Sequence, residues 1–403
     1  MNLLRSRIVR PLAADWRETL DALALERGWP TSNDPARVAA RVAELSAAYN
    51  AGESGRLRSP EALSARLGFS FARDVPKAAG AVRELVETGA LRLPHEGSLR
   101  VLDLGAGLGA STWGLWAALS AAAPGTPGRI EASCVDDDGS ALSIAVAIGA
   151  ARRGRDALEV DIQAVRATVS RGAREAKGPF DVVLLGQVLS ELGTSGLDAQ
   201  VELVRAALDR AAADGSVVII EPALRDRTRH LHALRDALAK AGAHVFAPCL
   251  HDAPCPALAA EGAWCHEDLD VDLPPWLAPV AARAGLRWQG LTFSYLVLRK
   301  DGRSLRDDAP PGAAWVRMVS EPIVTKGKRE AFLCGDVQGP EGGLVTMRVR
   351  ARRLNRDESD SNAAWQRASR GDVLACDPSI VANRPRIAGD HGILIRRREG
   401  EGS

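Results

Sequence analysis

The spacing of apolar residues changes along the chain and divides it into regions with different predicted structures. In residues 1–95 the apolar positions recur three and four residues apart, as at Trp16, Leu20 and Leu23, which predicts helices. Residues 96–300 instead alternate short apolar runs with amphipathic segments. We therefore predict a helical N-terminal region followed by an α/β domain.

The central region has the pattern of a parallel sheet that is covered by helices on both faces. Its predicted strands are Leu99–Leu104, Ile130–Val135, Leu158–Ile162, Phe180–Leu185, Ser216–Ile220, His244–Phe246 and Gly290–Val297. Its predicted helices are residues 111–122, 139–150, 197–213 and 226–241. This order predicts a Rossmann-like sheet, in which ligands bind outside the carboxyl ends of the strands.

The C-terminal part has a different pattern. Residues 301–312 are charged and contain proline, which predicts a linker, and residues 301–380 as a whole predict a small β-rich appendage. Its predicted strands are Trp315–Val319, Lys328–Leu333 and Leu344–Ala351. Residues 381–403 are expected to be loosely ordered.

The N-terminal helices have two start signals. Asp34-Pro35 predicts a helix start, and Pro76 predicts another, for a helix over residues 77–88. Arg73 lies before that second helix, and Lys77 is its first residue. They are interpreted either as a solvated face or as contacts to RNA.

The glycine-rich stretch Val101–Gly114 carries the clearest functional signal. A buried strand runs into Gly105, Gly107 and Gly109, and a helix follows at once, which places backbone amides at a helix N-terminus. Glycines there allow positive φ angles or remove a Cβ that would block a ligand. The alternative is a tight turn that binds nothing.

Two acidic positions sharpen this interpretation. Asp103 lies at the end of the first strand, where a dinucleotide site more often has an apolar residue. The second strand ends in Asp136-Asp137-Asp138, and an acid at this tip can hold a ribose through its hydroxyls. The combination resembles class I S-adenosylmethionine (SAM) methyltransferases more than NAD enzymes, so Asp103, the three glycines and Asp136 are predicted to bind the cofactor.

The loop after the fourth strand is the third predicted tip. Gln187 and Ser190 could hydrogen-bond a substrate or the SAM amine, or could simply belong to a capped loop. A further acid, Glu221, ends the fifth strand. The tips contain no recognisable catalytic base or cysteine nucleophile, so no catalytic residue is assigned. Methyl transfer can rely on proximity and alignment alone, so catalysis stays open.

The composition of the 403 residues limits the choice of partner. The formal net charge is +1, so a nucleic-acid surface must be local rather than general. No apolar run approaches the roughly 20 residues that cross a bilayer, and the N-terminus lacks the apolar core of a secretion signal. We expect a cytoplasmic monomer without a membrane partner.

Four of the six cysteines form a separate pattern. Cys249, Cys255 and Cys265 follow the sixth predicted strand with the spacing Cys-x5-Cys-x9-Cys, and Cys334 lies in the appendage. Prolines beside Cys249 and Cys255 stiffen the loop. Four thiolates suffice for a [4Fe–4S] cluster or for tetrahedral zinc. Such a centre would join the appendage to the sheet domain.

Other interpretations of the cysteines remain open from spacing alone. Zinc could take His251 or His266 as a ligand, or the cysteines could be unrelated reduced thiols. Cys376 could replace Cys334 as the fourth ligand. Cys134, inside a strand, is most simply a buried apolar residue.

Taken together, these residues resemble the methyltransferase-like family of small-ribosomal-subunit assembly factors, known from mitochondria and many bacteria. The matching pieces are the glycine turn at 101–109, the segment 181–192, Glu221-Pro222, the Pro-Cys-x-His-x-x-Pro-Cys-Pro loop at 248–256, Trp264-Cys265, and residues 320–328 leading to Cys334. The cysteine loop is the most specific of these pieces.

The resemblance implies a class I methyltransferase fold that binds SAM and a [4Fe–4S] cluster and that associates with the maturing small ribosomal subunit. By motif, Cys249, Cys255, Cys265 and Cys334 correspond to the cluster ligands. The resemblance leaves methyl transfer to rRNA as an open question.

Basic residues near the C-terminus offer a local RNA surface. Arg348, Arg350 and Arg352 alternate along one predicted strand and therefore share a face. Further arginines stand at 356 and 396–398. Such a row can neutralise phosphates, although it can equally be a solvated sheet face.

Three functions are compatible with these features. The first is a SAM-binding, iron–sulfur ribosome assembly factor that could methylate rRNA. The second is a non-catalytic RNA-binding scaffold with structural SAM. The third is a small-molecule SAM methyltransferase with a structural zinc.

Overall fold

The first four helices pack into the same unit as the parallel sheet. In the computed structural model they are α1 (Ala14–Glu26), α2 (Pro35–Ala51), α3 (Pro60–Ala65) and α4 (Phe71–Glu87). The structure describes residues 8–52, 56–192, 196–309, 311–338, 343–377 and 385–396. The first unit comprises Met1–Thr194, Glu202–Ile220 and Leu269–Leu291, so the predicted boundary near residue 95 is not a boundary between units.

The start signals of these helices have different outcomes. Asp34 caps α2 as predicted, because its carboxylate accepts a hydrogen bond from the amide of Arg37. The predicted start at Pro76 is wrong, since α4 begins at Phe71 and continues through the proline. A π-helical turn over residues 66–70 precedes α4. Burial of the apolar face of α4 compensates for the backbone hydrogen bond that Pro76 cannot make.

Five parallel strands form the sheet of the first unit. They are β1 (Leu99–Leu104), β2 (Gly128–Asp136), β3 (Leu158–Arg166), β4 (Phe180–Gly186) and β5 (Ala211–Glu221). Their order is β3-β2-β1-β4-β5. This is the Rossmann-like arrangement of class I SAM methyltransferases, as predicted, with β1 at the centre and all carboxyl ends at one edge.

Helices separate these strands along the chain. They are α5 (Ala110–Ala122), α6 (Gly139–Arg152), α7 (Val169–Glu175) and α8 (Leu197–Arg210). The first unit includes α8 from Glu202 onward, and it also includes α10 (Ala278–Arg283). Helix α7 is not predicted from the sequence, because its seven residues are too few to show a helical period and bury only Gly172 and Ala173.

A cluster of indole rings joins the N-terminal helices to the sheet's helices. Trp16 on α1 lies 4.8 Å from Trp113 and 5.6 Å from Trp116, both on α5. The guanidinium of Arg152 on α6 lies 4.4 Å from the centre of the Trp16 ring and pairs with Asp15 at 2.6 Å. These contacts make α1 part of the sheet's helical layer.

The second unit comprises Ser195–Val201, Glu221–Asp268 and Thr292–Ser403. Its first elements are α9 (Arg225–Lys240), β6 (His244–Ala247), β7 (Glu267–Leu269) and β8 (Leu291–Arg299). Strand β6 pairs antiparallel with β8. The cysteine loop after β6 is assigned to the same unit as the C-terminal residues, whereas the sequence predicts it as part of the 96–300 domain.

The C-terminal residues form a second, mostly antiparallel sheet. Its strands are β9 (Ala314–Met318), β10 (Ile323–Thr325), β11 (Lys328–Gln338), β12 (Leu344–Leu354), β13 (Val373–Cys376), β14 (Arg386–Ile387) and β15 (Ile393–Ile395). The order is β14-β12-β11-β9-β13-β15, with β10 beside β11. A short helix, α11 (Ala364–Arg367), packs Trp365 into the core of this sheet.

Two expectations for this region need correction. The described residues 301–309 of this stretch are packed rather than a free linker, because Leu305 is fully buried and its carbonyl accepts a hydrogen bond from the Trp315 indole. In the predicted loose tail, the described residues 385–396 supply β14 and β15. Ile387 and Ile393 enter the apolar core, which holds this segment in place. No helix within the described residues is long and apolar enough to cross a membrane.

The close approach of α4 and α5 in the first unit leads to a stability prediction. A Cβ at Gly114 on α5 would lie 2.5 Å from the carbonyl oxygen of Val75 on α4 and would also collide with Ala78. We expect Gly114→Ala to lower the free energy of unfolding by about 1–3 kcal/mol, because α4 and α5 must separate. Urea denaturation followed by circular dichroism measures this.

Gly149→Ala is the matched control. Gly149 is also inside a helix, but a Cβ there makes only ordinary contacts of 3.5 Å or more with Ile162. Because alanine has a higher helix propensity than glycine, Gly149→Ala should leave the free energy of unfolding unchanged or slightly raised. Equal loss of stability in both variants would contradict the packing argument.

Candidate functional site

The glycine turn between β1 and α5 forms the first part of the site. Gly105, Gly107 and Gly109 all have positive φ angles, of 72°, 52° and 83°. A Cβ on Gly105 would also collide with Val188. The amide of Gly105 donates to the carbonyl of Val135 on β2 at 2.8 Å, so the turn is anchored to the neighbouring strand. All three predicted glycines are thus needed for the backbone path.

Asp103 lies beneath this turn and is fully buried. Its Oδ2 accepts hydrogen bonds from the Thr112 hydroxyl at 2.8 Å and from the Thr112 amide at 3.2 Å. Its Oδ1 is buried without a hydrogen-bond partner among the described residues. Burial raises the pKa of Asp103 to about 7, against a usual value of 3.8. An unsatisfied buried oxygen of this kind is a natural place for a ligand donor.

The acidic tip of β2 is tied to the glycine turn. Asp136 accepts from the amide of Gly107 at 2.8 Å and from the amide of Asp138 at 2.9 Å. Asp138 caps α6, and Asp137 pairs with Arg58 at 2.9 Å. Each oxygen of Asp136 therefore keeps one lone pair for a further donor such as a ribose hydroxyl. Ribose binding by Asp136 stays a prediction.

The loop after β4 contains a strained residue. Gln187 has φ 61° and is the one non-glycine with positive φ within the residues that the structure describes. Its amide donates to the Ile220 carbonyl at 2.7 Å, and the Ser190 hydroxyl donates to the Gln187 carbonyl at 3.1 Å. The Ser190 contact fits the capped-loop interpretation. A left-handed glutamine next to a ligand edge is the kind of outlier found at functional sites.

A polar cluster that the sequence does not predict joins the region of α2 and α3 to this edge. The Tyr49 hydroxyl donates to the Glu191 carboxylate at 3.2 Å, and Arg66 from the π-helical turn donates to the Tyr49 oxygen at 3.2 Å. Glu191 follows the Gln187 loop. Contacts between residues 142 positions apart leave no local pattern, so spacing could not reveal them.

Arg73 and Lys77 do not form a solvated face. Both pair with Asp74, through N···O distances of 2.8 and 2.9 Å, and their side chains are only 28% and 13% exposed. The two cations hold the pKa of Asp74 below its usual value despite its burial. This ion triplet stabilises α4, and a role in contacting RNA gains no support from it.

A cavity within the second unit is lined by the four predicted cysteines. Cys249, Cys255, Cys265 and Cys334 all line a space of about 50 Å³, and all four are free thiols. This exceeds the roughly 10–15 Å³ that a single water needs. Within the described residues, no group of three or more His, Cys, Asp or Glu side chains is arranged to hold a metal ion.

The thiols of this cavity are weaker acids than an ordinary cysteine side chain. Burial and the neighbouring thiols raise the pKa of Cys255 to about 11 and that of Cys265 to about 12. Metal ligation would have to displace these protons. Cys376 instead lies in the apolar core of the second sheet, so it is not placed to substitute for Cys334. Cys134 is fully buried in β2, as predicted.

The two histidines considered as zinc ligands are differently placed. His251 has its Nε2 3.9 Å from the Cys334 sulfur. His266 stacks on Trp264 with ring centres 4.1 Å apart, and its Nε2 lies 3.0 Å from a nitrogen of Arg370. Burial lowers the pKa of both histidines to about 4. At neutral pH both are uncharged.

The three predicted arginines do share one face of β12, but their side chains have different surroundings. In register with β11, Arg348 lies opposite Cys334, Arg350 opposite Phe332, and Arg352 opposite Glu330, so all three share one face. Arg348 lines the cysteine cavity, while the other two are exposed. RNA binding by this row stays a prediction.

A family comparison covers both of these sites. The model of the family described as mitochondrial small ribosomal subunit Rsm22 matches residues 69–374, which is more than half of the chain. The chain belongs to the Rsm22 family. The Rsm22 match contains the glycine turn and all four cysteines of the cavity, whereas Tyr49, Arg58 and Arg66 lie outside it.

Solved structures show a looser likeness to this Rsm22-family chain. A methyltransferase from Pyrococcus furiosus is 17% identical with a TM-score of 0.31, and the match covers 54% of this chain and 81% of that one. The precorrin-6y C5,15-methyltransferase from Geobacter metallireducens is 16% identical with a TM-score of 0.32, over 54% and 88%. The human methyltransferase 10 domain containing protein is 12% identical with a TM-score of 0.32, over 56% and 83%.

With TM-scores this low, the likenesses add nothing to the strand order and the Rsm22 match. No curated protein matches the sequence.

The raised pKa of Asp103 leads to a pH-dependent stability prediction for the ligand-free protein. Its carboxyl binds a proton in the folded state that the unfolded chain releases above pH 4. This contribution to the free energy of unfolding is present at low pH and is lost as pH rises from about 4 to about 7. The slope is at most about 1.4 kcal/mol per pH unit.

Asp103→Asn removes this titrating group. Urea denaturation between pH 5 and 8 should show the wild type losing roughly 2–3 kcal/mol relative to the variant as pH rises. If the two curves of unfolding free energy against pH run parallel, the assignment of the raised pKa to Asp103 is wrong.

Proposed function

We propose that this Rsm22-family protein is an assembly factor of the small ribosomal subunit that binds SAM and carries a [4Fe–4S] cluster. One observation carries the proposal: the family match, whose description refers to the small ribosomal subunit, spans the glycine turn and the four-cysteine cavity together. A cytoplasmic location and a monomeric state are part of this proposal.

SAM binding is supported by unsatisfied polar atoms at the glycine turn. The free Oδ1 of Asp103 suits the cationic amine of the methionine portion, and the remaining lone pairs of Asp136 suit the ribose hydroxyls. A Cβ added at Gly107 would have no neighbour within 4 Å, so the backbone is open to a ligand there. When bound, SAM supplies an activated methyl group.

At the carboxyl edge of the parallel sheet, a methyl acceptor would bind beside the loop that contains Gln187. Its strained backbone, together with the Tyr49–Glu191 contact, holds polar groups beside the carboxyl end of β4. None of these groups is placed as a general base by an observed contact. Methyl transfer here would depend on holding the acceptor in line with the methyl donor. A scaffold that only binds SAM uses the same residues.

The four cysteines that line the cavity could supply the four thiolates that an iron–sulfur cluster requires. Around one zinc ion the four sulfurs lie roughly 3.8 Å apart, given Zn–S bonds of about 2.3 Å. Within the described residues no group of three or more potential ligands is arranged to hold a metal ion, although four cysteines line one cavity. A multi-iron cluster holds its thiolates further apart. When bound, it supplies a redox-active centre that ties the loop after β6 to β11.

Contact with rRNA is assigned to the exposed arginines of β12. Arg350 and Arg352 point away from the apolar core on the face of β12 opposite Val349 and Ala351. Guanidinium groups there can neutralise phosphates without reading base sequence.

Incubation with methyl-labelled SAM and immature small subunits tests the function. We expect the protein to sediment with the subunits at low salt and to dissociate as salt rises, because phosphate contacts release counterions. Asp103→Ala should reduce SAM binding at least tenfold, since a charge-assisted hydrogen bond is worth about 1.5–3 kcal/mol. The exposed Asp198→Ala is the control.

Label transferred to rRNA, and lost in Asp103→Ala, identifies an rRNA methyltransferase. Sedimentation and SAM binding without transfer identify the scaffold. Failure to sediment with small subunits at low salt would overturn the assembly role and favour a small-molecule methyltransferase.

Metal content tests the cluster. We expect anaerobically prepared protein to contain iron and sulfide and to absorb broadly at about 400 nm, as such clusters do. Cys255→Ser should lose most of the iron, because one of four thiolate ligands is removed. Cys376→Ser is the matched control and should keep it, since Cys376 lies in the apolar core. Colourless protein with stoichiometric zinc would reject the cluster and leave the fold unaffected.

A further inference from the structure

Cys334 is flanked by arginines on both neighbouring strands of the second sheet. In the register of the sheet, Arg317 on β9 and Arg348 on β12 each lie directly opposite Cys334 on β11. Directly opposed residues have their Cβ atoms roughly 4.5–5.5 Å apart on the same face. Both arginines line the cysteine cavity. A thiol thus stands between two guanidinium-bearing positions.

The arginines of the cavity differ in their counter-charges. Arg235 pairs with Asp236 at 2.7 Å, and Arg370 lies 3.5 Å from Glu321. Arg348 has no carboxylate partner within the described residues. Its guanidinium instead lies 4.3 Å from the centre of the Phe332 ring, and its Nε is buried without a hydrogen-bond acceptor.

Arg317 is more deeply buried than Arg348, with 4% of its surface exposed. One of its terminal nitrogens donates to the Gly371 carbonyl at 2.7 Å. A guanidinium group cannot lose its proton in a protein, so these positive charges are permanent. Burying such a charge is costly unless an anion compensates it. Because Arg348 has no such anion among the described residues, the cavity is suited to an occupant with negative charge.

We infer that Arg348, together with Arg317, compensates the negative charge of the four-thiolate centre and raises its reduction potential. The inference rests on the proposed [4Fe–4S] cluster. A cubane cluster with four thiolates is a dianion when oxidised and a trianion after it accepts one electron. Fixed positive charges stabilise the more negative form more strongly, so they favour reduction. The arginines themselves form and break no bonds.

Arg350 is the natural control for this effect. It lies two positions along the same strand, on the same face, and carries the same charge. Its guanidinium pairs with Glu330 at 3.0 Å, and its side chain is 49% exposed. The carboxylate and the solvent both screen its charge, so it should contribute little to the potential of the centre.

The test is a potentiometric titration of the anaerobically prepared full-length protein. Dithionite, with mediator dyes, delivers one electron per cluster, and absorbance and electron paramagnetic resonance follow the reduced fraction. For Arg348→Gln we expect the equilibrium constant for reduction to fall about tenfold, which corresponds to about 59 mV for one electron. Arg348→Lys should recover most of the loss, and Arg350→Gln should match the wild type.

Arg317→Gln is the second variant and should shift the potential in the same direction. If Arg348→Gln fails to retain iron while Arg350→Gln retains it and both keep a folded spectrum, charge compensation is supported, and Arg317→Gln then supplies the potential. Iron-loaded variants of Arg348 and Arg317 with wild-type potentials would overturn this inference alone. Wild-type protein without iron would instead overturn the proposed function.

Discussion

Burial of both faces of the parallel strands is the constraint from which the first unit follows. Val182, Val183 and Leu184 on β4 are fully inaccessible, and the neighbouring strands are nearly as apolar. Solvent and ligands therefore reach this sheet mainly where its strands end, and the carboxyl ends share one edge. Asp103, near the carboxyl end of β1, is a fully buried carboxyl group at that edge. The free-energy cost of burying Asp103 is reduced by the hydrogen bond that Thr112 donates to it. The raised pKa of its carboxyl group also reduces this cost, because the group keeps its proton to a higher pH.

The second unit depends on a different constraint, the alternation of side chains along antiparallel strands. On β12, Val349, Ala351 and Arg353 face a core that also holds Trp365, while the residues between them face the opposite side. This alternation places Cys334 and Arg348 together on the face that the cysteine loop approaches. The same period that builds the apolar core therefore assembles the thiol cavity.

The features that depend on local pattern were predictable from the sequence. Strand β1, the glycine turn and the N-cap at Asp34 each leave their signal within a few residues, and all three are present. The grouping of the four cysteines came from the resemblance and from their types, because nothing local links Cys334 to Cys265.

The features that could not be predicted from the sequence are those made by distant residues. The hydrogen bond between Tyr49 and Glu191 arises from helix packing. The positions of Arg317 and Arg348 opposite Cys334 arise from strand register. The continuation of α4 through Pro76 was missed because burial of a whole helix face outweighed a local breaker signal. The pairing of Lys77 with Asp74 was missed because charge type alone does not show which cations are neutralised.

The indole cluster has a spectroscopic consequence. Trp16, Trp113 and Trp116 are mutually 4.8–5.6 Å apart, at interplanar angles of 61–80°. At such short separations and steep angles the electronic transitions of the rings mix instead of behaving as isolated absorbers. The Trp113–Trp116 pair lies within α5, whereas both ring contacts of Trp16 require α1 to be packed against α5. The part of the optical activity that comes from Trp16 therefore reports the packing of α1 without any added label.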